Sequence, residues 1–445
     1  MSKIPATTPD TSRPIPPDQS NLFWLYSAEA VNSIAATLLT VGLPFYMSHR
    51  FGWGARENFV VAALQGIFYM IGALSAQNIS HRWARGKSLL ALYACMTTIA
   101  CAVGISATMA WAHIMVMLVV VETSFMAASW PMLESLVSES GDASRLSKRL
   151  GFYNIVWAVT GSIAVASCGA IIQHAPAWSF FGIVAAGHFL AGIFIFRRAS
   201  HEMSLSRDAT LSVSATGLGN ENAGQPASML DEADARQHRL ALWLSRIALP
   251  STYVIVYSLA PALPSLHAIR QLPPTVATIV GSIWLMSRAI AFIITANTTF
   301  WHKRTSLMFA ASITMLLAFI GTIVPGTLTH LGLSAALAGM AFAQIVLGLS
   351  LGTIYSASLY FGMAVSDGST EHGGYHEALI GLGQILGPLV GAVMQWIRPG
   401  ELWPALMGIS GVVSLSIVFQ SIVGVRNARV RLHTPKASPE KIMRH

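Results

Sequence analysis

The stretch that decides the fold is GSIWLMSRAIAFIITAN, residues 281–297. It is apolar enough to belong to a helix through the hydrocarbon core of a bilayer, which takes about 20 residues. Arg288 nevertheless stands in its middle, and a guanidinium stays charged in proteins. Charge at the bilayer centre costs about 2.5–3.5 kcal/mol on insertion scales, so such residues are rare and functional. We therefore predict a membrane span with a functional arginine.

The composition of the whole chain agrees with this stretch. Of the 445 residues, 53% are hydrophobic and 10% are charged, whereas a soluble domain has about 25% charged residues. The net charge of +8 is not gathered on a basic face, so nucleic-acid binding is not expected. Cys95, Cys101 and Cys168 lie in apolar segments without metal-ligand spacing, which favours buried thiols and no metal.

No motif of an enzyme is visible. The chain has no hydrolase motif, P-loop, haem motif or flavin motif, so neither catalysis nor a cofactor is expected. Without a nucleotide site, any transport must draw on an ion gradient or a substrate gradient.

Twelve stretches are long and apolar enough to span a bilayer. Only helices fit them, because they exceed the length and hydrophobicity of barrel strands. The predicted fold is therefore an all-α polytopic membrane protein. The spans lie near 22–46, 57–79, 88–109, 112–134, 150–173, 177–196, 240–264, 274–298, 306–328, 331–362, 377–397 and 402–424.

The positions of lysine and arginine predict the orientation. With a cytoplasmic N-terminus, the inner segments hold 21 of these residues and the outer loops hold four. Both termini are therefore expected in the cytoplasm. The protein is also expected to be a monomer in a bacterial inner membrane. The predicted organisation is a disordered tail over 1–20, a six-helix bundle over 21–196, a linker over 197–239, a second bundle over 240–424 and a basic tail over 425–445.

The two halves contain a weak internal repeat. WARGKSL, residues 83–89, follows the second predicted span, and WHKRTSL, residues 301–307, follows the eighth. The stretch QNISHRWARGK, residues 77–87, also resembles the signature Gly-x-x-x-Asp-Arg-x-Gly-Arg-Arg of the major facilitator superfamily. Arg82 and Arg85 match it, and His81 stands at the aspartate position. The resemblance implies two six-helix bundles that alternate access around a midplane site, with a gating role for these arginines.

A second stretch, GQILGPLVG, resembles a glycine pattern of the same family. Gly383, Gly387, Pro388 and Gly391 match Gly-x-x-x-Gly-Pro-x-x-Gly. In proton-driven exporters of this family the pattern marks the fifth span, whereas here it lies in the eleventh. The three glycines share one helix face, which predicts close packing against another helix. The proline weakens the helix, so the expected role is a contact that can rock.

Two charges are predicted near the midplane. Arg288 lies about ten residues from the inner end of its span, roughly 15 Å at the helical rise, and Trp284 is one turn away. The arginine fork suits a carboxylate or a phosphate. Glu122 lies at similar depth in the fourth span and can carry a proton. The two residues either bind a solute and a proton in turn or form a structural ion pair.

Two further charges lie nearer the inner surface. Glu29 begins a stripe of small and polar residues that includes Asn32, and this stripe is expected to face a cavity. Glu29 itself either contributes to the site or is a packing residue or a solvated residue at the mouth of the cavity. Arg246 shares a face with Tyr253 and Tyr257, and it either contributes to the site or anchors the helix at the interface. Uncharged candidates for the wall of the site are Gln65, Tyr69, Asn154, Trp157, Gln344, Tyr355 and Gln384.

The segment 366–378 is expected to form a glycine-rich hinge. Gly373 and Gly374 are predicted to interrupt any helix there, which argues against a metal site at His372 and His376. Glu377 is placed at the start of the eleventh span, and His376 is a candidate pH sensor.

These observations predict a secondary active transporter in the lipid bilayer. The expected substrate is a small organic solute that is anionic or carries a carboxylate, and protons are the expected coupling ion. One alternative is a proton-driven exporter of lipophilic or drug-like compounds. Another is a membrane sensor or scaffold that has the transporter fold but does not transport.

Overall fold

The computed structural model describes residues 17–139, 146–213, 232–302, 304–365 and 370–433. Within these ranges the secondary structure is helical, and no strand is present. The helices are α1 Pro17–Thr37, α2 Leu43–Phe51, α3 Ala55–Trp83, α4 Arg85–Thr108, α5 Ala112–Glu139, α6 Leu146–His174, α7 Ser179–Val213, α8 Glu232–Ala262, α9 His267–Arg270, α10 Pro274–Gly281, α11 Ile283–Asn297, α12 Thr305–Thr327, α13 Leu333–Val365, α14 Thr370–Ile397 and α15 Leu402–His433.

Twelve candidate membrane spans are present in the described chain, which confirms the predicted all-α fold. Each matches one predicted stretch, and the largest differences are at Phe51 and Glu139, against the predicted ends 46 and 134. Apolar runs of this length are a strong signal for helices in a sequence. Lipid offers the backbone no hydrogen-bond partners, so the backbone groups must bond to one another within the helix.

Two spans are interrupted in ways that periodicity does not predict. The first span contains a π-helical turn, Leu38–Gly42, between α1 and α2, in which the amide of Leu43 donates to the carbonyl of Leu38. Pro44 follows, and it has no amide hydrogen to give to a regular helix. The eighth span breaks at Ser282 between α10 and α11. The predicted single helix over 274–298 is therefore wrong in this respect.

The regions between and beyond the spans are more helical than expected. Helix α7 continues to Val213 and α8 begins at Glu232, so both ends of the predicted linker over 197–239 are helical, and residues 214–231 lie outside the described residues. At the termini, α1 begins at Pro17 and α15 ends at His433. The remainders of the two predicted tails, 1–16 and 434–445, lie outside the described residues.

The prediction of a hinge over 366–378 is also wrong for the residues of this segment that are helical. Helix α14 begins at Thr370 and passes through Gly373 and Gly374 without a break. Glycine costs about 1 kcal/mol in a helix interior, which the packing of a long helix offsets. Glu377 is consequently well inside the helix instead of at its start. Residues 366–369 lie outside the described residues.

Helices α1–α7 form the first half of the molecule and α8–α15 form the second. The face at which α1 begins and α15 ends is called the terminal face, and the other is called the opposite face. The halves meet along α3 and α14, and again where α6 packs against α10 and α11.

The halves touch near both faces. Near the opposite face the amide of Gly169 donates to the Thr278 hydroxyl at 3.1 Å, and a Cβ at Gly169 would lie 2.1 Å from the Pro274 carbonyl oxygen. Near the terminal face a Cβ at Gly151 would lie 2.4 Å from the Cβ of Ala296. Only glycine permits these approaches, and together they leave a cavity between two sets of contacts.

Candidate functional site

The candidate site is a cavity of about 600 Å³ between the two halves. Both halves contribute walls, and aromatic side chains dominate them. The lining residues are Ser33, Ala36, Thr37, Thr40, Val41, Tyr69, Trp130, Tyr153 and Trp157 from the first half, and Tyr253, Val256, Tyr257, Trp284, Leu285, Arg288, Tyr355, Glu377 and Ile380 from the second.

Arg288 supplies the positive charge of the cavity. Its guanidinium carbon lies 4.1 Å from the ring centroid of Trp157 and 5.1 Å from that of Trp284. The side chain is 4% exposed. Among the described residues no carboxylate pairs with it, and its Nε has no hydrogen-bond partner. A buried guanidinium that is stacked but not neutralised is suited to bind an anion.

Close packing of α11 on α13 places Arg288. A Cβ at Gly348 would lie 1.9 Å from Ser287 Oγ and 2.2 Å from the Trp284 carbonyl oxygen, so the two backbones meet there. The Ser287 hydroxyl donates to the Gln344 carbonyl at 3.2 Å. With the break at Ser282, this contact fixes which face of α11 points into the cavity.

The aromatic wall next to Arg288 is itself held in place. The Trp157 indole N–H donates to Asn154 Oδ1 at 3.4 Å, so Asn154 orients the ring from outside the cavity lining. Trp157 lies edge to face with Tyr355, at 5.5 Å between centroids, and Tyr355 lies 6.3 Å from Tyr253. These contacts join the two halves around the guanidinium.

Glu377 supplies the negative charge of the cavity. The Tyr69 hydroxyl donates a hydrogen bond to its Oε2, and this bond crosses between the halves from α3 to α14. Glu377 is 2% exposed and has no ion-pair partner within the described chain. The neighbouring His376 is buried as well, and its Nδ1 lies 3.2 Å from the Ser358 hydroxyl. Both residues lie inside α14, whereas Glu377 was expected at the start of its span.

Two further acids are buried beside the cavity. Glu29 accepts hydrogen bonds from Ser33 at 2.5 Å and from Tyr153 at 3.1 Å, and it is fully buried instead of solvated at a mouth. Glu134 is 1% exposed, lies beside the Tyr355 hydroxyl, and has no hydrogen-bond partner for its Oε2 among the described residues.

Glu122 lies away from the cavity and is not paired with Arg288 in this structure. Its Oε1 is 3.1 Å from His188 Nε2, and His188 Nδ1 is 3.2 Å from Asn32 Oδ1. All three side chains are completely buried. They join α1, α5 and α7 within the first half. Asn32 likewise faces this contact and not the cavity.

The remaining polar candidates do not line the cavity. Gln65 donates to the Leu39 carbonyl at 3.2 Å, within the π-helical turn, and to Thr123 at 3.3 Å. Gln344 and Gln384 are completely buried, and their amide groups have no partner among the described residues. Arg246 is half-buried and lies near His376.

The family-like motifs lie at helix contacts. Arg85 Nη1 is 2.6 Å from Glu139 Oε1, which joins the start of α4 to the end of α5, and Arg82 is exposed. A Cβ at Gly383 would lie 2.3 Å from the Pro250 carbonyl oxygen, and Gly387 lies equally close to α8. Gly391 packs against Phe59 of α3. Pro388 lies within α14, beside these contacts.

Several residues of the site were not predicted from the sequence. Glu134 lies one turn after Trp130, which lines the cavity, and this helical spacing is the available signal. Tyr153 is adjacent to the predicted Asn154 but faces the cavity itself. His188 is a single histidine in an apolar helix, and nothing in the sequence connects it to Glu122.

With the geometry known, the chain was compared with known proteins. A sequence model of the Major Facilitator Superfamily matches residues 25–374, which is more than half of the chain. The chain belongs to the major facilitator superfamily. Membership of the superfamily makes it an integral, multi-pass membrane transporter for small molecules and not an enzyme.

Solved structures of the superfamily share the fold. FucP in the outward conformation is 14% identical, with a TM-score of 0.53 over 90% of this chain and 98% of that one. The human organic anion transporter MFSD10 (TETRAN) is 15% identical, with a TM-score of 0.57 over 91% of this chain and 100% of that one. No curated protein sequence matches significantly. At such identities the likeness concerns the fold alone.

Proposed function

We propose that the protein is a secondary active transporter of a small organic anion, which it moves by alternating access with coupling to protons. The observation that carries the proposal is Arg288, which is buried in the cavity between the halves, stacked on Trp157 and Trp284, and without a carboxylate partner among the described residues. An unpaired charge in such surroundings is costly, and a bound anion removes that cost.

The aromatic walls support an organic anion over an inorganic one. Eight aromatic side chains line the cavity, and they present wide apolar surfaces with few polar groups. Such a lining stabilises the carbon skeleton of a solute, while the guanidinium binds a carboxylate or a phosphate in its fork. A small hydrated ion gains little from these walls.

Alternating access is supported by the two sets of contacts between the halves. Gly169 and Thr278 meet near the opposite face, and Gly151 and Ala296 meet near the terminal face. Both sets are built from close backbone approaches and few polar bonds, so either can separate without leaving many buried polar groups unpaired. Separation at one face at a time exposes the cavity to one side of the membrane.

Proton coupling is supported by Glu134. Its carboxyl group is buried beside the cavity wall, and one oxygen has no partner among the described residues. An ionised carboxylate in this position is unfavourable, so it takes up a proton when the site is closed and releases it when water enters. Glu29 is better stabilised because Ser33 and Tyr153 both donate to it.

The anion site is tested by ligand-induced stabilisation of the purified protein. We expect 3-phenylpropionate, an aromatic carboxylate, to raise the denaturation temperature, because a ligand at 100 times its Kd adds about 2.7 kcal/mol. Arg288→Ala is expected to lose this effect, and Arg288→Lys to weaken it by at least about tenfold in Kd. Arg398→Ala, which removes an exposed arginine, is the control. Stabilisation that survives in Arg288→Ala contradicts the proposal.

Proton coupling is tested separately in liposomes. A pH gradient is expected to drive accumulation of the probe by the wild type, and Glu134→Gln is expected to bind the probe without this accumulation. Equal accumulation by Glu134→Gln excludes Glu134 as the proton site.

The aromatic lining also favours a second candidate function, export of lipophilic compounds. Such an exporter needs apolar walls but no unpaired cation, and Arg288 repels lipophilic cations. Growth of an exporter-deficient strain in the presence of several unrelated organic cations distinguishes the two. Broad resistance favours export, whereas no resistance together with carboxylate binding favours the anion transporter.

A further inference from the structure

The cavity holds two opposite charges that the protein keeps apart. Arg288 and Glu377 both line it, yet no ion pair joins them. Tyr253 and Tyr257 line the same cavity. Two opposite charges in one buried cavity lower their electrostatic energy by forming an ion pair. The fold keeps these two apart, and this separation needs an explanation.

Neither charge is neutralised elsewhere in the described chain. Arg288 has only aromatic faces around its guanidinium, and Glu377 accepts a hydrogen bond from Tyr69 without any cation within ion-pair distance. A tyrosine hydroxyl satisfies part of a carboxylate but does not balance its charge. Arg288 therefore lacks a negative counter-charge, and Glu377 lacks a positive one.

We infer that the solute is an organic zwitterion, with an anionic group on Arg288 and an ammonium group on Glu377. This inference rests on the proposed function and specifies the substrate class of the same site. A single molecule then supplies both missing charges at once. Tyr69 contacts Glu377 directly, and Tyr253 and Tyr257 line the same cavity, where aromatic rings can stabilise a cation.

The position of Glu377 adds a mechanical consequence. The carboxylate belongs to α14 of the second half and is hydrogen-bonded to Tyr69 on α3 of the first half. An ammonium group bound there contacts both halves, and so does an anion on Arg288, because Trp157 belongs to the first half. A zwitterion thus joins the halves at two points, whereas a simple carboxylate joins them at one.

Matched sets of probes test the inference on the purified wild-type protein. One set is phenylalanine, 3-phenylpropionate and 2-phenylethylamine, and the other is 6-aminohexanoate, hexanoate and hexylamine. Each set contains a molecule with both charges, one with only the negative charge and one with only the positive charge, on closely related carbon skeletons. We expect at least one zwitterion to bind about tenfold more tightly than its carboxylate analogue, measured by thermal stabilisation and by titration calorimetry.

Variants assign the effect to Glu377. Glu377→Gln is expected to abolish the difference in affinity between the zwitterion and its carboxylate analogue, both measured on the variant. Glu57→Gln, at an acid far from the cavity, is the matched control and is expected to behave as wild type. The comparison within each wild-type set remains decisive if Glu377→Gln does not fold.

The outcomes are distinguishable. If the carboxylates bind but neither ammonium group adds affinity, the zwitterion is excluded and the anion transporter stands. If Glu377→Gln instead changes the pH dependence of carboxylate binding and leaves the zwitterion's advantage intact, Glu377 is a proton site and the inference is wrong. If no probe that carries a carboxylate binds, the proposed function itself fails.

Discussion

At the scale of residues, the buried charges of this protein fall into two groups with different chemistry. Glu122 contacts His188 inside one half, and His188 in turn contacts Asn32. Arg288 and Glu377 line a shared cavity, and the described chain gives neither a counter-charge. The first group holds helices together, whereas the second is complete only with a ligand present.

This division predicts different effects for similar substitutions. Glu122→Ala leaves His188 without its partner, and breaking a buried pair costs about 3–5 kcal/mol. We expect a clearly lower denaturation temperature, with the stabilisation by 3-phenylpropionate retained. Thermal unfolding followed by tryptophan fluorescence measures both quantities in one experiment.

The control for this substitution is Glu139→Ala. Glu139 also pairs with a basic residue, Arg85, but its side chain is 43% exposed, and an exposed pair contributes less than about 1 kcal/mol. A Glu122→Ala protein that unfolds like the wild type but no longer responds to the probe shows instead that Glu122 belongs to the solute pathway.

The sequence predicted part of this arrangement. Arg288 was identifiable because a guanidinium inside an apolar run has few structural explanations. Whether Arg288 pairs with Glu122 was not predictable, because equal depth in two spans does not tell which faces the two helices present to each other. Glu134 was missed because it lies at the predicted end of its span, where an acid is ordinary.

At the scale of helices, Arg288 depends on the contact between α11 and α13. Gly348 has no side chain, and this allows the backbone of α11 to approach around Ser287 and Trp284. The break at Ser282 separates this part of the span from α10, which packs against α6. Both segments pack against α6, and α11 also packs against α13.

Gly348→Ala tests this dependence. The added Cβ would lie 1.9 Å from Ser287 Oγ, so α11 must shift or rotate, and Arg288 moves with it. Overpacking of this kind costs about 1–3 kcal/mol. We expect a lower denaturation temperature and at least about tenfold weaker binding of 3-phenylpropionate by calorimetry, because a bidentate contact tolerates little displacement.

Gly411→Ala is the matched control, since a Cβ at Gly411 meets nothing within 4 Å in the long helix α15. The two variants add the same methyl group to a helix. Unchanged probe affinity in Gly348→Ala rules out the contact as the feature that positions Arg288.

At the scale of the whole molecule, the two halves close around the cavity from both faces. Cys168 is completely buried next to Gly169 in the contact near the opposite face, beside Thr278. Its thiol is therefore a native reporter of opening at that face. Cys95 and Cys101 are exposed on the first half, so the prediction of buried thiols is wrong for them. Both are replaced by serine before the measurement.

Glycine substitutions at the two faces are expected to act in opposite directions. Gly169→Ala hinders closure at the opposite face and should raise the rate of Cys168 alkylation by N-ethylmaleimide about tenfold, which corresponds to about 1.4 kcal/mol. Gly151→Ala hinders closure at the terminal face, so it favours the opposite-face contact and should lower the rate.

Gly424→Ala, which meets nothing within 4 Å, is expected to alkylate at the wild-type rate. Opposite effects of the two substitutions indicate that the halves rock as rigid bodies. If both raise the rate, the faces open independently and alternating access is not a property of this structure.

At this scale the sequence was most informative. Twelve apolar runs predicted twelve spans because a bilayer leaves a long apolar segment no structure other than a helix. The cavity was not predictable in the same way. Its lining depends on rotations of helices that are set by contacts such as those of Gly348 and Gly169, which lie far from the lining residues in sequence.

The π-helical turn Leu38–Gly42 has a consequence for how this protein changed during evolution. Such a turn amounts to one extra residue in an α-helix, and one residue corresponds to about 100° of rotation. Thr40 and Val41 lie in the turn and line the cavity, and Gln65 binds the carbonyl of Leu39 there. Deletion of a single codon at this position would therefore reorient one end of the first span relative to the other, and so replace part of the solute-facing wall in one step.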